Sequence, residues 1–123
     1  MKRIALISAL FITTYSHATI NAIVSITPQK TFLSQIAKDK VNITVMVNPS
    51  ISVHTYEPKP SDMKKITKAD IYFGIGVEFE EHWLDKFKAL NANMTISDTS
   101  KDINKLTSIK HDSHHEKHRI PLL

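Results

Sequence analysis

Short apolar runs rich in β-branched residues recur along the chain, with helix-forming or polar segments between them. Residues 21–26 (NAIVSI), 41–47 (VNITVMV) and 70–75 (DIYFGI) are the three clearest runs. Their length and their valine and isoleucine content predict three buried strands. Residues 93–97 predict a shorter fourth strand.

The segments between these runs predict three helices. Thr27 is a suitable N-cap, and Pro28 suits the first position of a helix that carries Phe32, Leu33 and Ile36. A short second helix is expected over residues 60–68. The third helix has an apolar stripe at offsets of 0, 4, 8 and 11, which we expect to face the core. The stripe consists of Phe79, Trp83, Phe87 and Leu90.

Strands that alternate with helices predict an α/β fold with a four-stranded, mostly parallel sheet flanked by helices. In such sheets the functional loops gather at the carboxyl ends of the strands. His54 follows the second predicted strand and precedes the helix that begins near Pro60. The pattern therefore places this histidine at the functional edge of the sheet.

The amino terminus predicts a secretion signal rather than part of the fold. Lys2 and Arg3 precede an apolar segment from Ile4 to Tyr15, and Ser16-His17-Ala18 resembles a cleavage site. The apolar segment is shorter than the roughly 20 residues that span a bilayer. We expect cleavage after Ala18, with Ala22 as the alternative site, and we divide the chain into a signal peptide (1–18), an α/β lobe (19–109) and a tail (110–123).

Amino-acid composition limits the compartments and the classes of partner that are expected for this protein. The chain has no cysteine, so it has neither disulfides nor a lipid-bearing cysteine after the signal, and we expect a soluble protein of the periplasm. The formal net charge is +4, but Lys2 and Arg3 contribute two of the 16 basic residues. Because the other lysines alternate with acids, the sequence does not support nucleic-acid binding.

Several separated motifs carry a family resemblance. The run from His54 to Asp62 (HTYEPKPSD), then KADI at 68–71 and GIGVE at 74–78 ahead of Trp83, closely resembles the solute-binding proteins of zinc and manganese ABC transporters. The similarity is nearest to the periplasmic high-affinity zinc-uptake type and covers residues 22–119. It implies one lobe of a two-lobed protein that is not an enzyme, binds metal between its lobes and delivers it to an inner-membrane ABC permease.

The resemblance also assigns metal-binding roles to individual residues. His54 matches the first histidine ligand of the family, and residues 110–118 match the histidine-rich loop of its zinc-selective members. Neutral imidazole suits Zn²⁺, while Mn²⁺, the weaker alternative, prefers carboxylate-rich sites. Apart from the resemblance, Glu57 is near enough in sequence to orient the His54 ring by accepting its N–H, and a solvated loop carboxylate is an equal alternative. We interpret the cluster of Glu78, Glu80, Glu81 and His82 mainly as helix capping and surface solvation.

The carboxyl-terminal tail is a second candidate for metal capture. Four histidines have offsets of 0, 3, 4 and 7, which would place them on one face of a helix; they are His111, His114, His115 and His118. Asp112 and Glu116 lie beside them. The tail predicts weak, exchangeable capture of metal, and the alternative is a solvated polar segment without a specific role.

The end of the chain departs from the family pattern. Arg119-Ile120-Pro121-Leu122-Leu123 stands where the family continues with its second histidine ligand, a connecting helix and a second lobe. The sequence therefore resembles an amino-terminal fragment, whose second lobe is either lost or encoded elsewhere. The alternatives are a stand-alone periplasmic zinc buffer or chaperone, a non-functional gene fragment, and an exported metallohydrolase, for which the sequence offers only scattered candidates.

Overall fold

Four short strands and three α-helices alternate along the part of the chain that the computed structural model describes, residues 18–104 and 106. The strands are β1 (Ile20–Val24), β2 (Val41–Val45), β3 (Ile71–Gly74) and β4 (Thr95–Asp98). The helices are α1 (Thr27–Ala37), α2 (Pro60–Ile66) and α3 (Glu78–Leu90), and a 3-10 turn over Lys38–Lys40 links α1 to β2. Each element lies within a few residues of its predicted position.

The four strands form one sheet in the order β2-β1-β3-β4. All three pairings are parallel, which confirms the predicted α/β class. At the amino edge, the backbone N–H of Asn21 donates to the Asp70 carboxylate at 2.7 Å, which ties the start of β1 to the residue before β3. β2 is added on one side of β1, and β3 and β4 are added on the other side. Such a switch in strand order opens a crevice at the carboxyl edge of the sheet.

The main core lies between the sheet and helices α2 and α3. Tyr72 and Ile23 point to this side, and Ile66 and Phe87 pack over them. Trp83 stacks against Phe87 with ring centroids 6.1 Å apart. The predicted stripe of α3 is therefore confirmed over three residues, whereas Leu90 at the end of the helix is exposed.

Helix α1 lies on the opposite face of the sheet, against β1 and β2. It begins at Thr27, so the N-cap residue is Ile26 rather than the predicted Thr27. The Gln29 side chain takes the capping role, because its Oε1 accepts the backbone N–H groups of Ser25 and Ile26 at 3.0 and 3.1 Å. None of the residues of α1 is buried.

Two predicted segments lie outside the described residues. These are most of the signal peptide, residues 1–17, and the histidine-rich tail with His111, His114, His115 and His118. Both assignments remain predictions. Among the helices that the structure describes, none has the length and apolar character needed to cross a membrane.

Candidate functional site

The loop between β2 and α2 carries His54 along the carboxyl edge of the sheet. Met46 and Val47 extend the pairing with β1, since their N–H groups donate to Val24 and Ser25 at 2.9 and 3.0 Å. A turn then follows, in which the N–H of Ile51 donates to the carbonyl of Asn48 at 2.9 Å. The loop thus leaves the sheet from a fixed point and runs past the ends of the strands.

Tyr56 anchors the far side of this loop. Its ring is buried and meets Phe79 of α3 edge-on, with centroids 5.1 Å apart. Its hydroxyl donates to Asp62 Oδ2 at 2.9 Å, and burial raises the pKa of this phenol well above its ordinary value. Because His54 lies only two residues before this anchor, its backbone position is restricted although its side chain is exposed.

Asp62 is the centre of the polar contacts that hold the loop to α2. Besides Tyr56, its carboxylate accepts the N–H of Lys59 and the ammonium of Lys65, both at 3.1 Å. Burial alone would raise the pKa of Asp62, but these hydrogen bonds outweigh it and the pKa is lowered. The carboxylate therefore remains charged and closes the proline-rich end of the loop onto the helix.

The His54 imidazole forms a hydrogen bond with the first residue of α3. Its Nδ1 lies 2.7 Å from Glu78 Oε2, and the two side chains are 71% and 59% exposed. A contact this exposed stabilises the fold by at most about 1 kcal/mol. Its effect is orientation: with Nδ1–H donating to the carboxylate, Nε2 is the ring nitrogen that can bind a metal.

A buried carboxylate fixes the turn that precedes Glu78. Glu80 is 3% exposed and accepts the backbone N–H groups of Ile75 and Gly76, the latter at 2.8 Å. Gly76 has a φ of 75°, a conformation that other residues adopt only with strain. Glu80 also accepts a hydrogen bond from the Ser25 hydroxyl at the end of β1.

Tyr72 completes this buried network. Its hydroxyl lies 2.7 Å from Ser25 Oγ, and burial raises the pKa of the phenol. The network connects the carboxyl ends of β1 and β3 to the first turn of α3. It therefore determines where Glu78 stands relative to the loop that carries His54.

An open cavity of about 410 Å³ surrounds the His54–Glu78 pair. His82, Trp83 and Lys86 of α3 form one side of it, and Lys86 Nζ lies 4.2 Å from the centre of the Trp83 ring system. Within the described part of the chain, no group of three or more histidine and carboxylate side chains is placed to hold a metal ion.

The position of Glu57 differs from the role expected for it. Glu57 lines the same cavity, but the carboxylate bonded to Nδ1 of His54 belongs to Glu78. The sequence pattern groups Glu78 with residues that cap and solvate a helix. The available signal was topological: Glu78 directly follows β3 and its turn, so it shares the carboxyl edge of the sheet with the loop of His54.

Comparison with known proteins gives consistent matches. The family model described as "ZnuA: Zinc-uptake complex component A periplasmic" matches residues 23–120. An uncharacterized protein, RP014 of Rickettsia prowazekii (strain Madrid E), is 34% identical over 105 residues, which cover 85% of this chain and 34% of that protein.

Solved structures agree with the observed fold. A crystal structure of ZnuA is 42% identical, with a TM-score of 0.68 over 72% of this chain and 34% of that one. The Mn-bound periplasmic metal-binding protein from Candidatus Liberibacter asiaticus is 26% identical, with a TM-score of 0.66 over 76% of this chain and 35% of that one. The chain therefore spans about a third of the length of the proteins it matches.

The family model covers most of the chain, and the ZnuA structure matches the described sheet and helices. Proteins of this family bind metal ions as components of ABC uptake systems and are not enzymes. The sequence motifs, the parallel sheet and these matches lead to one assignment: the chain belongs to the ZnuA family of metal-binding solute-binding proteins.

Proposed function

We propose that this chain is the amino-terminal lobe of the metal-capturing component of an ABC-type zinc importer, and that His54 contributes one zinc ligand through Nε2. The observation that carries the proposal is the 2.7 Å contact between His54 Nδ1 and the Glu78 carboxylate. Histidines that bind metals generally donate their other ring N–H to a carboxylate or carbonyl, which fixes the tautomer and raises the basicity of the ligand.

A complete zinc site needs more ligands than this lobe offers. Zinc is commonly held by four ligands in tetrahedral geometry, with nitrogen at roughly 2.0–2.1 Å. The described residues contain no group of three candidate ligands, and the chain spans about a third of the matched ZnuA structure. The remaining ligands therefore come from another polypeptide segment, which closes over His54 from the carboxyl edge of the sheet.

The choice of zinc over manganese follows from donor chemistry. The imidazole of His54 is a good ligand for Zn²⁺, and the tail adds four histidines to a chain with seven in all. The similar proteins include both a zinc-uptake component and a Mn-bound protein. Since Mn²⁺ favours oxygen-rich sites, a histidine-led set of ligands favours zinc.

The place of action is the periplasm, where an exported carrier meets its inner-membrane permease. The expected signal peptide over residues 1–18 and the similarity to a periplasmic family support this location. In this mechanism the tail collects ions by weak, exchangeable contacts and His54 receives one. The completed protein then delivers the ion to the ABC permease.

The proposal is tested by titrating zinc into the mature chain (residues 19–123) by calorimetry. A chain that ends at Ile109 isolates the lobe from the histidine tail. In that shortened chain, His54→Ala should abolish the remaining weak zinc binding. His82→Ala is the matched control, because it removes an imidazole that lines the same cavity but is not bonded to Glu78, and it should leave most binding intact.

The same titration distinguishes the second candidate function, a stand-alone zinc buffer. The four-histidine pattern of the tail favours this alternative. If the chain ending at Ile109 binds no zinc, or binds it equally with and without His54, then the lobe has no role in capture. Manganese titrated into the same samples should bind more weakly than zinc, and stronger manganese binding would contradict the metal assignment.

A further inference from the structure

Strand β2 lies at one edge of the sheet, and no strand of the described residues pairs with its outer side. Its only strand partner there is β1. The N–H of Met46, just beyond β2, donates to the carbonyl of Val24 at 2.9 Å, which fixes the alternation of backbone groups along the strand. The residues whose N–H and C=O groups face outward are therefore Val41, Ile43 and Val45.

This edge lacks the features that usually keep edge strands from pairing with another chain. Such strands are commonly protected by a charged residue, a proline or a short length. Residues 41–47 (VNITVMV) contain neither a charge nor a proline, and β2 is as long as the central strand β1, with five residues each. The opposite edge strand, β4, has four residues and ends in Asp98. Of the two edges, β2 is therefore the one suited to pairing.

The residue order of β2 is self-complementary about its centre. When two copies pair antiparallel around Ile43, Val41 meets Val45 and Asn42 meets Thr44 of the other copy. A twofold axis requires this reciprocity, because a contact of one residue with a second is repeated in reverse. The register also pairs every outward-facing residue of β2, and each such pair exchanges both of its backbone hydrogen bonds.

The side chains of β2 leave surface that such a pairing would cover. None of the five residues of β2 is buried, although three of the five in β1 are. Asn42 and Thr44 lie on the α2 side, where they line a small cavity of about 140 Å³ with Lys65 and Lys68. In the antiparallel pair, the polar residues meet on this face and the apolar residues meet on the α1 face.

We infer that the β2 edge is a self-association surface, at which a second copy of this chain pairs antiparallel about Ile43 and joins the two four-stranded sheets into one. The dimer is reversible and depends on concentration, because one pair of short strands forms a small interface. The surface excludes His54 and Glu78, so the inference goes beyond metal capture.

The inference is tested by sedimentation of the mature chain (residues 19–123) over a range of concentrations, with a chelator present so that zinc cannot bridge two histidine tails. The wild-type chain should dimerise. The variant Asn42→Lys, Thr44→Lys should dimerise at least about tenfold more weakly, because like charges then lie opposite each other. The matched control Thr95→Lys, Ser97→Lys carries the same charges on β4, the other edge strand, and should change dimerisation less than about twofold.

A charge exchange separates loss of pairing from loss of folding. The variant Asn42→Glu, Thr44→Glu should also fail to dimerise alone. Mixed with the variant Asn42→Lys, Thr44→Lys, it should form a heterodimer, since each ammonium then faces a carboxylate across the strand pair. Two misfolded chains would not regain association in this way.

Three results would overturn the inference. The first is a wild-type chain that stays monomeric at every concentration tested. The second is a dimer that the β2 variant leaves intact, or that the β4 variant weakens as much, which places the contact on another surface. The third is the absence of a heterodimer in the charge exchange. These measurements require neither His54 nor zinc, so the dimer and the proposed zinc site succeed or fail independently.

Discussion

At the scale of single residues, the candidate site depends on one orienting contact. An exposed histidine samples several rotamers unless a neighbour selects one, and Glu78 provides that selection for His54. The pair contributes little to folding because both side chains are largely solvated. Its value lies in presenting Nε2 with a fixed tautomer, so changes here should affect metal affinity more than stability.

Replacement of Glu78 by Gln should weaken zinc binding by the chain ending at Ile109 about tenfold, because loss of an orienting carboxylate typically has such an effect. Calorimetric titration measures the change. Glu57→Gln is the matched control, since Glu57 lines the same cavity without contacting Nδ1. If Glu57→Gln weakens binding and Glu78→Gln does not, the orienting residue is Glu57.

Because of Asp62, the free energy of unfolding should decrease at acidic pH. Its folded-state pKa is lowered, so its contribution is complete above the ordinary aspartate pKa of about 3.9 and disappears as pH falls through the folded value. Asp62→Asn should reduce the free energy of unfolding by about 1–3 kcal/mol at pH 7. The difference from wild type should shrink below about pH 4.

Urea unfolding monitored by Trp83 fluorescence at pH 7, 4 and 3 provides the measurement. Asp39→Asn is the control, because Asp39 is exposed in the 3-10 turn after α1. A difference between wild type and Asp62→Asn that stays constant across this pH range would contradict the assigned role of the carboxylate.

At the scale of elements, the turn between β3 and α3 is held from beneath by Glu80. A buried carboxylate in this position satisfies backbone N–H groups that a tight turn would otherwise leave without partners. Ser25 links the same carboxylate to β1, so two strand ends and one helix start form a single unit. This unit fixes the position of the Glu78 backbone at the start of α3.

Ser25→Ala should destabilise the fold by about 1–3 kcal/mol, because it removes a buried donor to Glu80 and a partner of the Tyr72 hydroxyl. Ser34→Ala is the matched control: Ser34 lies on α1, and its hydrogen bond to the carbonyl of Thr31 is exposed. The control should stay within about 0.5 kcal/mol of wild type. Equal unfolding midpoints in urea for the two variants would contradict the network's role.

The sequence predicted the elements well and their polar connections poorly. Strands such as 41–47 and the helix with Trp83 follow from periodicity, because burial imposes a pattern on consecutive residues. The pairing of His54 with Glu78 joins residues 24 positions apart. It depends on the angle at which two loops leave the sheet, which periodicity does not encode. From sequence alone, Glu57 was only one candidate, with a solvated loop carboxylate as an equal alternative.

At the scale of the whole molecule, the described part of the chain has two open surfaces. One is the cavity at the carboxyl edge around His54 and Glu78, where the described residues include no group of three candidate metal ligands. The other is an open apolar groove beside α1, lined by Phe32, Ile36 and Phe73. The chain spans about a third of the length of the ZnuA structure that it matches.

The central position of β1 affects the timing of folding. β1 is synthesised before the other strands, but the partner of its Ala22 on β3 is Ile71. At about 5–20 residues per second, several seconds separate the synthesis of these two strands. Parallel pairings across such distances in sequence form slowly. The most apolar strand of the sheet, β1, therefore has no second neighbour during that interval. A chain that binds an export or chaperone machinery at that time is still unfolded at the centre of its sheet.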